Sequence, residues 1–208
     1  MNTNTNIKEI GAKLCEFVDK QDIHLSGDQD GRIESLHSEE SITSSLKKNF
    51  PNEVILHPDD NRSFGDFTIK LADGTEHPVN IKMIKHTSTY NSANVKHLSY
   101  CLYGANTPSY NSFATKIRQD EGGPVNEYWY MIFYKGSSRS TAFFCLSEVA
   151  TECAILNPSN GVQFKPIMRL VERTPDKKRQ FIIDLFKKLA KKRAMAWLIL
   201  EADEGDDA

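Results

Sequence analysis

The sequence predicts an α/β (α+β) protein in which a central mixed β-sheet is flanked by helices. Apolar residues recur at helical spacing near both ends of the chain, and the middle alternates with period two. There is no parallel strand–helix–strand repeat and no GxGxxG, which excludes a doubly wound dinucleotide fold. The 208 residues suit one domain with a sizeable core, and no repeat or low-complexity linker marks a boundary. Residues 1–200 therefore read as a single domain, and 201–208 as an acidic, disordered tail.

In chain order, Ile7, Ile10, Leu14, Phe17 and Val18 line one helical face, with Asn6 as N-cap and Glu9 at the third helical position. After a polar stretch a second helix is expected over residues 35–49, stopping before Pro51. Residues 53–56 (EVIL) form a short apolar strand. Residues 64–71 and 77–85 alternate and flank Asp73-Gly74, a hairpin signal. A long segment rich in Ser, Thr, Asn and Tyr (86–112) reads as irregular, and two apolar strands follow in YWYMIFYK and STAFFCLSEV. After a loop, LNPSNGVQFKP, a last helix opens at Thr174-Pro175. It runs through Phe181, Ile182, Leu185, Phe186, Leu189 and Met195 to about Leu200.

The net charge of −2 is unevenly spread: the last eight residues, EADEGDDA, carry five acids and no base. The remaining body has 26 basic against 23 acidic residues, a balance that permits a nucleic-acid partner. The polar N-terminus does not resemble a signal peptide, and no apolar run approaches the roughly 20 residues that span a bilayer. A cytoplasmic protein without a membrane partner is expected. Cys15, Cys101, Cys145 and Cys153 form no CxxC pair and read as reduced, packed thiols.

The chemistry concentrates in the hairpin. Asp66, Thr68 and Lys70 share one face of its first strand; Asn80 and Lys82 share the polar face of the second. A two-residue turn would set Asp66 against Ile81. A three-residue loop, Ala72-Asp73-Gly74 with a left-handed glycine, sets Asp66 across from Asn80 and makes both faces consistent. A carboxylate, a carboxamide and an ammonium then share one wall. That set suits phosphodiester hydrolysis, since a hard cation such as magnesium (Mg2+) takes oxygen ligands and a lysine can orient water. A polar sheet face with Asp and Lys is equally commonplace without any such role. On the second helix Glu39 lies at the edge of the inward face, either as a capping or dipole group or as a carboxylate reaching the same site. Glu40 points elsewhere and reads as solvated.

The spacing Asp66-x13-Asn80-x-Lys82 resembles the PD-(D/E)xK nuclease motif, and PVNIK, GDFTI and GRIESLHSEE are similar to strings in type II restriction endonucleases. The downstream order resembles the EcoRV-like branch, and the likeness covers roughly residues 30–190. The resemblance implies a PD-(D/E)xK core and a magnesium-dependent restriction endonuclease cutting double-stranded DNA at a short palindrome. Asp66 would be the central metal ligand, the Ile81 carbonyl a backbone ligand, Lys82 the catalytic lysine and Glu39 a supporting carboxylate. Asn80 stands where the family has its second acid. Either Asn is native there and Glu39 compensates, or the chain is an inactivated variant. Pro58-Asp59-Asp60 is a decoy in a turn-like stretch.

Two segments carry side chains suited to DNA. Asn91, Asn94 and Lys96 follow the hairpin and could hold the backbone. Asn157, Ser159, Asn160 and Gln163 resemble a base-reading loop. Each is otherwise an ordinary polar surface group, as are Lys177, Lys178, Lys187, Lys188, Lys191, Lys192 and Arg193 of the last helix. A chain of this size reading a palindrome implies a prokaryotic homodimer, its interface expected at the first helix. A structure-specific repair nuclease of the same fold and a catalytically inactive DNA-binding module remain alternatives.

Overall fold

The structure is a computed structural model. It describes residues 6–21, 31–56, 64–85, 90–105, 109–119, 122–135, 141–157, 161–165 and 168–203. The elements in order are α1 (Ile7–Asp19), α2 (Gly31–Asn49), β1 (Val54–Ile55), β2 (Phe67–Lys70), β3 (Glu76–Lys85), β4 (Tyr90–Ala93), α3 (Val95–Tyr103), α4 (Tyr110–Arg118), β5 (Trp129–Lys135), β6 (Ala142–Cys145), β7 (Ala154–Asn157), β8 (Gly161–Phe164) and α5 (Pro175–Asp203). They fall into two compact units, Met1–Ser88 with Glu127–Leu146, and Thr89–Asn126 with Ser147–Ala208.

The first unit holds a five-stranded sheet in the order β1-β2-β3-β5-β6. It is mixed, as expected, because β3 and β5 pair in parallel while the other neighbours are antiparallel. Alternation decides the faces: Phe67, Ile69, Val79, Ile81, Trp129 and Met131 form one core with Ile10 and Leu14 of α1 and Ile42 and Leu46 of α2. Asn6 caps α1 as expected, its side chain accepting from the Lys8 N–H at 3.1 Å.

Gly11 lets α1 lie flat on the sheet. A Cβ there would fall 2.1 Å from the Phe143 ring, which is stacked on Trp129 at 4.9 Å and 9° and has little room to yield. Gly11→Val is expected to destabilise the protein by about 3 kcal/mol or more, the upper range for overpacking. A urea midpoint equal to that of the unmodified protein would contradict this packing.

The second unit contains a three-stranded antiparallel sheet, β4-β8-β7, against which α5 packs, with α3 beside α5. Arg179 is buried at the α3 side, donating to the carbonyls of Leu102, Gly123 and Pro124 at 3.4, 3.2 and 3.4 Å. Here the structure corrects two expectations. The segment 86–112, expected to be irregular, contributes β4 and α3 and the start of α4. Asn94 and Ser109 are true N-caps, and Gly104 closes α3 with φ 64°. The expected loop 156–166 includes the end of β7 and all of β8, a hairpin whose strand pairing buries Val162 and Phe164. The strand expected through Val149 ends at Cys145 and passes into a 3-10 turn, Leu146–Glu148. The helix α5 continues through Glu201 to Asp203, so the acidic tail begins as helix. All four cysteines are free and buried, as expected; burial pushes the Cys15 thiol up to about 12, with the Asp19 charge adding to it.

Candidate metal centre

The hairpin of β2 and β3 has the register that consistent faces required. Phe67 pairs with Val79, Ile69 with His77 and Lys70 with Glu76. The loop closes with Leu71 N–H on the Thr75 carbonyl at 2.8 Å, Gly74 adopts φ 87°, and Asp73 accepts from the Thr75 N–H at 2.8 Å. The same register continued by one pair sets Asp66 opposite Asn80.

At that end β2 leaves the ladder. The Asp66 N–H still donates to the Val79 carbonyl at 2.8 Å, and then its side chain takes over from the backbone. Its Oδ2 accepts from the Ile81 N–H at 2.5 Å. Since that N–H points along the sheet plane, the carboxylate occupies the place of the next strand carbonyl, at the border between the two faces. Gly65 permits the approach, because a Cβ there would lie 2.5 Å from the Val79 carbonyl oxygen. The Tyr128 hydroxyl, donating to the Phe64 carbonyl, anchors the turn from the other side. Burial pushes the Asp66 carboxyl above the usual carboxylate range, outweighing the Lys82 charge and the Ile81 N–H, which both lower it.

Asn80 is buried, and its Oδ1 has no hydrogen-bond partner. Such an acceptor is costly unless something electropositive meets it. Ile81 is fully buried on the apolar face, and its carbonyl points to the same edge of β3 as its N–H, toward Asp66. Lys82 is half-buried, two residues beyond Asn80 on the same face. The structure thus brings Asp66, Asn80, Ile81 and Lys82 together. Glu39 is half-buried on α2, whose Ile42 and Leu46 join the core of the opposite face. Glu40 is exposed.

Among the described residues no group of three or more His, Cys, Asp or Glu side chains could hold a metal, which argues against a closed zinc-type site. One carboxylate, one amide oxygen and one backbone carbonyl are hard donors, and they fit magnesium, which keeps waters for the rest of its shell. Sequence reasoning missed Tyr128 and Tyr130. Tyr130 is the register partner of Asn80 on β5, and its ring meets Tyr128 at 5.3 Å and Phe144 at 5.6 Å, walling this face with aromatics. The alternating YWY was the available signal.

The expected DNA-contacting residues lie in the second unit. Asn91 on β4 pairs with Gln163 on β8, so the two segments expected to act separately are neighbours in one sheet. Asn157 and Gln163 belong to strands and not to a loop. Asn94 caps α3 by accepting from the His97 N–H at 3.3 Å, and Lys96 is half-buried in its first turn. Ser159, Asn160 and the decoy Asp59-Asp60 lie outside the described residues. On α5, Lys178 meets Glu148 at 3.7 Å, Lys192 donates to the Leu156 carbonyl at 3.1 Å, and Arg193 lies over the Tyr110 ring at 5.1 Å. Lys177, Lys187, Lys188 and Lys191 are exposed. Among the described residues no helix is long and apolar enough to cross a membrane. No family model matches this sequence, and no curated protein is significantly similar to it.

Proposed function

We propose that this protein is a magnesium-dependent endonuclease of the PD-(D/E)xK kind, a prokaryotic, cytoplasmic type II restriction enzyme acting on double-stranded DNA as a homodimer. The observation that carries the reading is the Asn80 amide oxygen, buried and unsatisfied beside a carboxylate whose own burial disfavours its charge. A hard cation would satisfy both groups at once.

Asp66, Asn80 and the Ile81 carbonyl would hold magnesium, which when bound supplies positive charge to the scissile phosphate and acidifies water. Lys82 orients the attacking water and offsets negative charge as it develops on phosphorus oxygens. The Ile81 N–H fixes the Asp66 carboxylate before substrate arrives. Asn91, Lys96, Asn157, Ser159, Asn160 and Gln163 are the proposed DNA contacts, amide side chains matching adenine edges. Asn94 can join them only through its amide N–H groups, its oxygen being used by the cap.

Digestion of phage DNA with magnesium, followed by sequencing of fragment ends, tests the reading. Discrete fragments sharing one palindrome support it. Cleavage governed by DNA structure identifies a repair-type nuclease instead, and salt-dependent binding without cleavage an inactive module.

Asn80 provides a sharper test. With Asn as the working residue and Glu39 supplying charge, Asn80→Asp leaves the cleavage rate within roughly tenfold, because a second carboxylate facing Asp66 adds repulsion. Glu39→Gln lowers it by about 100-fold, the upper range for a supporting ligand. Inactive unmodified protein rescued by Asn80→Asp would reverse this assignment.

A further inference from the structure

In the second unit α5 changes character along its length. Up to Leu189, buried residues such as Arg179, Ile182, Phe186 and Leu189 recur at helical spacing and hold the helix to its unit. From Lys191 to Met195 every side chain is exposed, Met195 by 53%. The helical backbone continues to Asp203, roughly 18 Å beyond Lys191 at 1.5 Å per residue. The sequence of that stretch is AMAWLIL and then acids. An apolar helical end needs a cover, since helices in water draw most of their stability from a packed face.

The charge pattern identifies the cover. Reversed about Trp197, the sequence is complementary to itself: Lys187, Lys188, Lys191 and Arg193 fall opposite Asp207, Asp206, Asp203 and Glu201. Exposed Lys188, Lys191 and Met195 follow one helical stripe, at i, i+3 and i+7. In an antiparallel pair of α5 helices, Lys188 and Lys191 meet Asp206 and Asp203 of the other copy, and Met195 meets Ile199. Two-fold symmetry makes each pair occur twice. A parallel pair would set lysine against lysine.

We infer that a second copy of this chain docks on the C-terminal part of α5, forming an antiparallel helix pair centred on Trp197. This gives the proposed self-association a surface and does not depend on the nuclease reading. The expected interface on α1 is a weaker choice, because Ile7, Ile10, Leu14 and Val18 are already buried in its own unit.

Sedimentation equilibrium of the full chain at several salt concentrations tests the inference. The expected result is a dimer that weakens as salt rises. The double variant Lys188→Glu, Lys191→Glu weakens it by at least about tenfold, since four ion pairs become repulsions. Asp203→Lys with Asp206→Lys does the same, and combining all four substitutions restores the dimer. Far-UV circular dichroism is unchanged throughout, the lysines being exposed. A monomer at every concentration, leaving the helix end to another partner, overturns the inference. So does a dimer indifferent to both charge reversals.

Discussion

Asp66→Asn is expected to lower magnesium-dependent cleavage by about 1,000-fold or more, the loss of a central metal ligand, and yet to make the metal-free protein more stable near neutral pH. The two effects have one cause. The amide oxygen of the variant can still accept from the Ile81 N–H, so the end of β2 keeps its anchor. The carboxylate, however, is buried strongly enough that its folded pKa lies above the ordinary value of 3.8. A raised folded pKa means the folded state binds the proton more tightly than the unfolded chain does. The stability this provides is complete below the ordinary carboxylate range and is lost as pH rises through the folded pKa. Ionised Asp66 therefore weakens the fold at neutral pH, and the amide removes that penalty. Urea unfolding of both proteins without metal, at acid and neutral pH, reads the difference. The variant should gain on the parent as pH rises, and a variant less stable at every pH would show that the carboxylate is not a strained group.

Lys82→Ala is expected to lower cleavage by about 100- to 10,000-fold, the range for a positioned proton-transfer group, while specific DNA binding in calcium stays within a few-fold of the parent. Lys82 also acts on its neighbour, because its charge lowers the Asp66 pKa against the effect of burial. Removing it pushes that carboxyl further up, so the residual activity should need higher pH than the parent's. Lys82→Arg keeps the charge and should leave the pH profile in place even where the rate falls. Cutting by Lys82→Ala at near the unmodified rate would remove the lysine from the site.

The hairpin was legible because two independent constraints agreed. Period-two alternation demanded that Phe67 and Val79 share a face, and Asp73-Gly74 offered a turn that allows it. The helices α1 and α5 were legible from long apolar stripes with proper caps. α3 and α4 were not, although Asn94 and Ser109 carry cap side chains and Leu98, Cys101 and Leu102 have helical spacing. Their stripes are nine-residue fragments among Ser, Thr and Tyr, too short to outweigh composition. β7 and β8 are four residues each, and their pairing with β4 spans some seventy positions of chain that no local pattern reports. Within the candidate site, Asp66, Asn80 and Lys82 followed from register. The capture of the Ile81 N–H by the Asp66 side chain did not, since it depends on β2 ending one residue short of the expected pair.

The interleaving of the two units governs how the chain can be made and cut. β3 has β2 on one edge and β5 on the other, but β5 and β6 are encoded only after β4, α3 and α4 of the other unit. During synthesis the strand bearing Asn80 and Lys82 thus waits with an open hydrogen-bonding edge while a foreign segment emerges, the situation in which unpaired strands recruit the wrong neighbour. Neither unit is a contiguous fragment, so a truncation after residue 88 would present Val79–Lys85 as a bare apolar edge. Excision of either half for separate expression would have to follow a rearranged gene, with Glu127–Leu146 spliced onto the first segment, and not a simple cut.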